Sequence, residues 1–432
     1  MLAVAFPVLA VHPASAPGVT VTLGSASVTV DTGDLAMLAV VVAMLVAARR
    51  LGFGPLRGAW PILIPAGLLV LAVLIATALG PHLSEGYSLA TKAVSAAKFL
   101  EYALLALAVP LIVRTAEDVK LVATFVVATS LAATTWGVLQ IIGLVSNFDD
   151  VPAGRRMPSF AGYHDFAILS GLSLSIAIGA IAIGHPRSLR PSVRLAAVSG
   201  VVGMVIAGAL SAVLAVLLGI GFAFLAMVVK RVVTRGSVAA LAAVALTLLA
   251  GSAVMRSGDA ADFIGFLGSD ATESSGGVES YSQRTVLSYI GLRIFLDHPA
   301  TGVGWQGSEL FVNAAPHLDD VRERFPDVTD EALPSAEHPW GVQNAYVQAA
   351  ADMGLGGLVA IVWLVLAAIV RPARVAVSRS PAAAVALAVT VGALVCAFEW
   401  AALGLVAGGP ATAFIWFTIG SAVAVRPAAA AP

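Results

Sequence analysis

Cysteine is all but missing from this sequence. Cys396 stands alone inside an apolar run, which excludes an intrachain disulfide framework and any cysteine-based metal site. Charge is scarce too: Asp, Glu, Lys and Arg make up 11% of the chain and nearly cancel, to a net −1 that is itself uninformative, because orientation depends on where the Lys and Arg sit; no nucleic-acid partner is expected. Several chemistry-bearing motifs are absent. Without a Walker motif, an H-E-x-x-H or a G-x-S-x-G, nucleotide hydrolysis, zinc proteolysis and a serine elbow have no support. Gly302-Val303-Gly304-Trp305-Gln306-Gly307 matches G-x-G-x-x-G in letters only. A dinucleotide fingerprint needs a strand before it and a helix after it, whereas this one follows a helical pattern and reads as a turn.

What the chain does have is apolar length. It is 59% hydrophobic, with a mean hydropathy of +0.94, far outside the soluble globular range. Apolar runs of roughly 17–25 residues are what helices need to cross about 30 Å of hydrocarbon. A membrane barrel would alternate apolar and polar residues, and runs such as Leu68–Leu79 and Val213–Val229 do not. The fold class expected is an all-α integral membrane protein of 11–12 transmembrane helices. Spans fall at about 35–48, 60–79, 94–113, 119–144, 165–184, 194–208, 211–229, 237–255, 346–370, 382–403 and 409–425. The run 194–229 is too long for one helix at about 1.5 Å per residue and has basic residues at both ends, so it reads as a tight hairpin turning near Gly208–Ser211.

Lys and Arg fall in alternate loops: Arg49, Arg50 and Arg57; Arg114 and Lys120; Arg187, Arg190 and Arg194; Lys230, Arg231 and Arg235; Arg371, Arg374 and Arg379; and Arg426. The positive-inside rule assigns these to the cytoplasm, together with the C-terminus. The expected organisation is an extracytoplasmic or interfacial segment 1–34, a helical bundle 35–255, a large extracytoplasmic loop 256–342, C-terminal helices 343–425 and a cytoplasmic tail 426–432. Met1–Val11 is apolar but too short to span and lacks the basic residues of a secretory signal; it reads as either a twelfth-span remnant or an interfacial segment. Val19–Val30 alternates Val and Thr, which suggests a short extended piece.

The large loop begins with Gly258–Gly277, rich in Ser, Gly and Asp and read as mobile. An amphipathic helix follows over Tyr281–Leu296, with Val286, Leu287, Ile290 and Ile294 on its apolar stripe and Pro299 and Gly302 ending it. Arg284 and Arg293 lie on that helix, and Arg155 and Arg156 sit in another outer loop, just before Ser159-Phe160 and His164-Asp165. A guanidinium fork there matches phosphate geometry; pairing with the loop's carboxylates is the plainer reading. His338 has the side-chain chemistry to take a proton from a hydroxyl near neutral pH, or it is a solvated loop histidine. Gln343 and Asn344 stand where the loop runs into a span, and Asn344 suits a helix cap equally well. Three charges fall within spans. Lys98 and Glu101 are three apart and read as a self-neutralising pair, while Glu399 has no local partner and is the stronger functional candidate.

Together these features resemble the O-antigen ligase and polymerase family of bacterial membrane glycosyltransferases, over roughly residues 30–425. Tyr281–Gln306 is similar to that family's Arg-containing helix and following turn, here Asp297-His298-Pro299 and Gly302-Val303-Gly304-Trp305; Gln343–Gly357 follows the spacing of its H-[NSQ]-x9-G-x-x-G signature; Arg156–Phe166 resembles its segment entering a middle span. The resemblance implies a GT-C-like fold in a bacterial inner membrane, with short helices in the outer loop. It also implies metal-independent transfer of a glycan from a polyprenyl diphosphate carrier to a glycan or lipid-glycan acceptor, with no cofactor. It places Arg284 and Arg156 at phosphate-binding positions. Two departures stand out. The signature histidine is Gln343, which cannot act as a base, and a Ser-Arg pair appears as Ser211-Ala212. His338 is then the base expected, with Gln343 and Asn344 positioning the acceptor and Arg155, Arg293 and Glu399 as substrate-binding candidates. The rival readings are a non-catalytic binder of lipid-linked glycans and a transporter, though transporters place polar segments at the midplane of two paired halves.

Overall fold

The computed structural model describes residues 1–23, 26–146, 156–183, 191–256, 280–326, 328–405 and 408–426. Arg155, Arg187, Arg190 and the Gly258–Gly277 stretch lie outside the described residues. A short helix α1 (Leu2–Leu9) leads into the hairpin β1 (Gly18–Leu23) and β2 (Ala26–Asp31). The first long helices are α2 (Thr32–Leu51), α3 (Trp60–Leu83), α4 (Leu89–Ala103), α5 (Leu105–Ile112) and α6 (Ala116–Ile141). Then come α7 (Tyr163–Ile183), α8 (Pro191–Ala207), α9 (Leu210–Lys230) and α10 (Arg235–Met255). The loop region carries α11 (Ser280–Asp297), α12 (Phe311–Ala314) and α13 (Leu318–Arg324), and the chain closes with α14 (Ala345–Val377), α15 (Ala383–Trp400) and α16 (Gly409–Ala424).

Among the described residues, eight helices are long and apolar enough to cross a membrane, counting Leu89–Ile112 as one; α8 and α16 are shorter apolar helices. The protein is an all-α integral membrane protein, and its single described sheet is the antiparallel hairpin that pairs Thr20 with Thr29. The hairpin expected between two spans at 194–229 is present. Gly208 turns it at φ +64°, and Leu210 starts the return helix. Met1–Val11 contains an eight-residue helix buried on one face, with Phe6 packed on Phe414 and Phe417 at ring-centroid distances of 5.3 and 5.2 Å. At the other extreme, α14 continues seven residues past the apolar run ending near 370, through Arg371 and Arg374. Hydropathy marks where lipid ends, and the backbone hydrogen bonds carry the helix further.

The core of the bundle is α7, buried along almost its whole length, with α8 and α15 packed against it. Small residues make that packing possible. A Cβ on Gly200 would lie 2.6 Å from Leu174 Cβ, and one on Gly171 2.7 Å from Val395. With lipid tails as apolar as the side chains, close backbone approach and interhelical hydrogen bonds supply the association energy. Ser173 Oγ lies 3.1 Å from Ser199 Oγ, and Thr134 Oγ1 donates to Ser199 O at 3.0 Å. One charge pairing differs from expectation. Lys98 bonds Asp34 at 2.6 Å rather than neutralising Glu101, because Asp34 on α2 faces α4 across the hairpin end and offers both its oxygens.

Candidate functional site

The turn after α11 is the platform on which the site stands. Val303 N and Gly304 N donate to Ala351 O and Asp352 O at 2.9 and 3.0 Å, tying the turn to the last residues of α14 before its break. The buried Asp352 carboxylate accepts from Gln306 N and Ser308 N, both at 2.9 Å, and from Gln348 Nε2 at 3.1 Å. Trp305, fully buried, lies 5.4 Å from the Phe99 ring and donates to Ser95 Oγ at 3.1 Å. Tyr87 donates to Trp305 O at 3.0 Å, and burial raises its hydroxyl pKa, which keeps that donor protonated.

The glycines at 354 and 357 have structural reasons in this arrangement. Gly354 breaks α14 at φ +65°, ψ −160°, a region closed to other residues, and a Cβ there would sit 2.6 Å from Ala300 O. The same break lets Leu355 N bond Pro299 O at 2.8 Å. At Gly357 a Cβ would meet Met353 Cβ at 2.5 Å. The G-x-x-G therefore docks the loop turn onto a broken helix. Asn344 caps α14, its Oδ1 accepting from Tyr346 N at 3.1 Å and Val347 N at 3.2 Å.

Beside this platform a cavity of about 330 Å³ is lined by Arg156, His164, Ser211, Arg284, Gln343 and Asn344, among others. Arg284 ties its walls together: Nε donates to Gln343 Oε1 at 2.9 Å and Nη2 lies 2.8 Å from His164 Nε2. A guanidinium has no acceptor, so Nε2 must offer a lone pair and the imidazole proton sits on Nδ1. Nδ1 lies 2.6 Å from Glu399 Oε2, on a carboxylate with no solvent exposure, and Ser211 Oγ donates to the other oxygen. The Arg156 guanidinium covers the Tyr163 ring at 4.4 Å, and its side chain packs near Gly208 at the hairpin turn. Residues from α7, the α8–α9 turn, α11, the start of α14 and α15 thus converge on one opening.

Of the residues singled out in the sequence, Arg156, Arg284, Gln343 and Asn344 line this cavity, and Glu399 anchors it from below through His164. Arg155 lies outside the described residues. His338 does not line the cavity: it is exposed, in a tight turn closed by Ser335 N to His338 O and by His338 N to Ser335 Oγ, both at 3.0 Å. Arg293 faces away, 45% exposed and bonded to Asp320 at 3.0 Å, because it lies nine positions, two and a half helical turns, from Arg284. His164 and Ser211 stand out in the sequence only as neighbours of other features. The signal that could have promoted His164 is the one that promoted Glu399, an ionisable group within an apolar span. Among the described residues, no cluster of three or more His, Cys, Asp or Glu is placed to hold a metal ion.

Residues 195–362 match the family model for the O-antigen ligase domain. That stretch is similar to O-antigen ligase domains. No curated protein matches the chain. The O-antigen ligase domain supplies Ser211, Arg284, Gln343, Asn344 and the Asp352-clamped turn. Arg156, His164 and Glu399 come from outside the matched stretch, so the cavity is completed by helices that the domain match does not cover. A transferase-like ligase activity in a membrane follows from the family.

Proposed function

We propose that this protein transfers a glycan from a polyprenyl diphosphate carrier to an acceptor hydroxyl at the outer face of a bacterial inner membrane. The observation that carries the reading is the Arg284–His164–Glu399 chain at the wall of a cavity that also holds Arg156. The carrier's lipid stays among the helices while its diphosphate reaches the two guanidinium groups. Negative charge grows on that diphosphate as the glycosidic bond breaks, so fixed arginines favour the transition state over the ground state.

His164, not His338, is the base in this reading. The acceptor hydroxyl gives its proton to His164 Nε2, and its oxygen bonds the anomeric carbon. The bond from that carbon to the diphosphate oxygen breaks, leaving carrier diphosphate. Arg284 moves from Nε2 onto the diphosphate as substrate binds, which frees the lone pair. Buried Glu399 holds Nδ1–H and stabilises the imidazolium that forms, and Gln343 and Asn344 position the acceptor. The arginines provide the charge neutralisation that a metal supplies elsewhere, so the step needs none. The distribution of Lys and Arg among alternate loops supports placing this end of the bundle outside the cell.

Replacing Arg284 with Ala tests the proposal. Membrane insertion and detergent-extracted yield should stay at wild-type level while transfer from lipid-linked donor falls at least 100-fold. Unchanged transfer would remove Arg284, and with it this mechanism.

A further inference from the structure

A second cavity of about 560 Å³ adjoins the first, and Gln343 lines both. Its chemistry is different. The first holds two guanidinium groups and, among the described residues, no lining carboxylate. The second is lined by Thr29 and Asp31 at the hairpin end, Thr91, Ser95 and Lys98 on α4, Gln306 and Glu309 in the loop turn, and Gln348 on α14. Lys98 is paired with Asp34 and Lys92 with Glu309 at 3.0 Å, while Asp31 caps α2 through its carboxylate, so the described lining offers no unpaired cation for an anion. Gly341, Gly404, Gly408 and Gly409 contribute bare backbone to its wall.

We infer that this second cavity binds the uncharged oligosaccharide end of the acceptor and sets its specificity. The inference rests on the transferase reading above. Hydroxyls and amides from four separate chain segments suit sugar hydroxyls, and glycine backbone lets a ring approach closely. Gln306 carries the clearest sign of a built surface. It holds a left-handed φ of +54°, rare for a non-glycine residue, fixed by Asp352 at its backbone and by Ser95 at its side-chain oxygen. The donor glycan is already tethered by its diphosphate at Arg284. The reacting end of the acceptor makes no such ionic contact in that reading, and a hydrogen-bonding cleft beside the reacting atoms would orient it.

Thr91→Trp and Thr29→Trp, both at exposed positions, fill the cavity from two different elements. Each variant in nanodiscs is tested for undecaprenyl diphosphate binding, then for transfer against titrated donor and against acceptor extracted from cells lacking this protein. A variant that binds undecaprenyl diphosphate within twofold of wild type has kept its fold. In such a variant the acceptor KM should rise at least tenfold and the donor KM should change less than twofold. An unchanged acceptor KM in both variants overturns the inference, as does a rise in donor KM instead, which would give the cavity to the donor glycan. Wild-type transfer by Arg284→Ala would instead sink the transferase mechanism beneath it, so the two failures are told apart.

Discussion

Removing the Asp352 carboxylate should loosen the turn that carries Gln306 while leaving the bundle folded. In Asp352→Ala, the Gln306 and Ser308 backbone N–H groups, each 2.9 Å from a carboxylate oxygen, lose their acceptor. A buried donor left unsatisfied costs about 1–3 kcal/mol, so two of them cost roughly 2–6 kcal/mol, with about 3 kcal/mol a conservative figure once water enters. At RT near 0.59 kcal/mol, about 3 kcal/mol shifts a local opening equilibrium by roughly 150-fold. Asp352→Asn keeps one oxygen acceptor and turns the other position into a donor facing an N–H. With its oxygen on the side of Gln306 N and Gln348 Nε2, it loses one of the turn's two backbone bonds where Ala loses both, and should show an increase of roughly tenfold, or about 1.4 kcal/mol. Hydrogen exchange read by mass spectrometry on a peptide spanning residues 302–310 reports this opening directly, and α7 peptides serve as the unaffected control. Exchange within threefold of wild type in Asp352→Ala would refute the clamp.

Two further outcomes follow from the same geometry. Gly354→Ala forces a side chain into φ +65°, ψ −160° against Ala300 O, and should lower thermal stability in detergent by the equivalent of about 1–3 kcal/mol; an unchanged melting profile would contradict the docking role given to that glycine. Burial lowers the His317 pKa below its usual 6.5, against the opposing pull of Asp297. The unfolded loop then takes up its proton first, so the stability His317 contributes is complete above about pH 6.5 and is lost as pH falls from there through the lowered folded value. Limited proteolysis of the 297–325 region should accelerate between pH 7.5 and 5, and His317→Phe should flatten that dependence.

Much of the architecture was legible because hydropathy and punctuation residues act locally. The hairpin at Gly208 followed from the length of the apolar run and the basic residues at its two ends. The amphipathic helix over 281–296 followed from Val286, Leu287, Ile290 and Ile294, and the structure places it at Ser280–Asp297. The G-x-G-x-x-G match resolved correctly into a turn, because no strand precedes it. The site was legible only in part. Arg284, Gln343 and Asn344 lie in stretches whose spacing is itself a pattern. His164 and Glu399 are 235 positions apart, and nothing local to either announces the other. His338 is a histidine five residues before Gln343, yet a turn closed on Ser335 leaves it exposed. Lys98 misled in the same way. Its sequence neighbour Glu101 was the obvious partner, and the true one, Asp34, comes from a different helix.

The most direct measurement is the single-turnover rate of glycan transfer from lipid-linked donor by His164→Asn, compared with His338→Ala. Asparagine can keep the hydrogen bond to Glu399 but cannot accept the acceptor's proton, so a lost base should slow transfer by about 10²–10⁴-fold with undecaprenyl diphosphate binding intact. His338→Ala should transfer at the wild-type rate. A His164→Asn enzyme that transfers normally, or a His338→Ala enzyme that does not, would contradict the account.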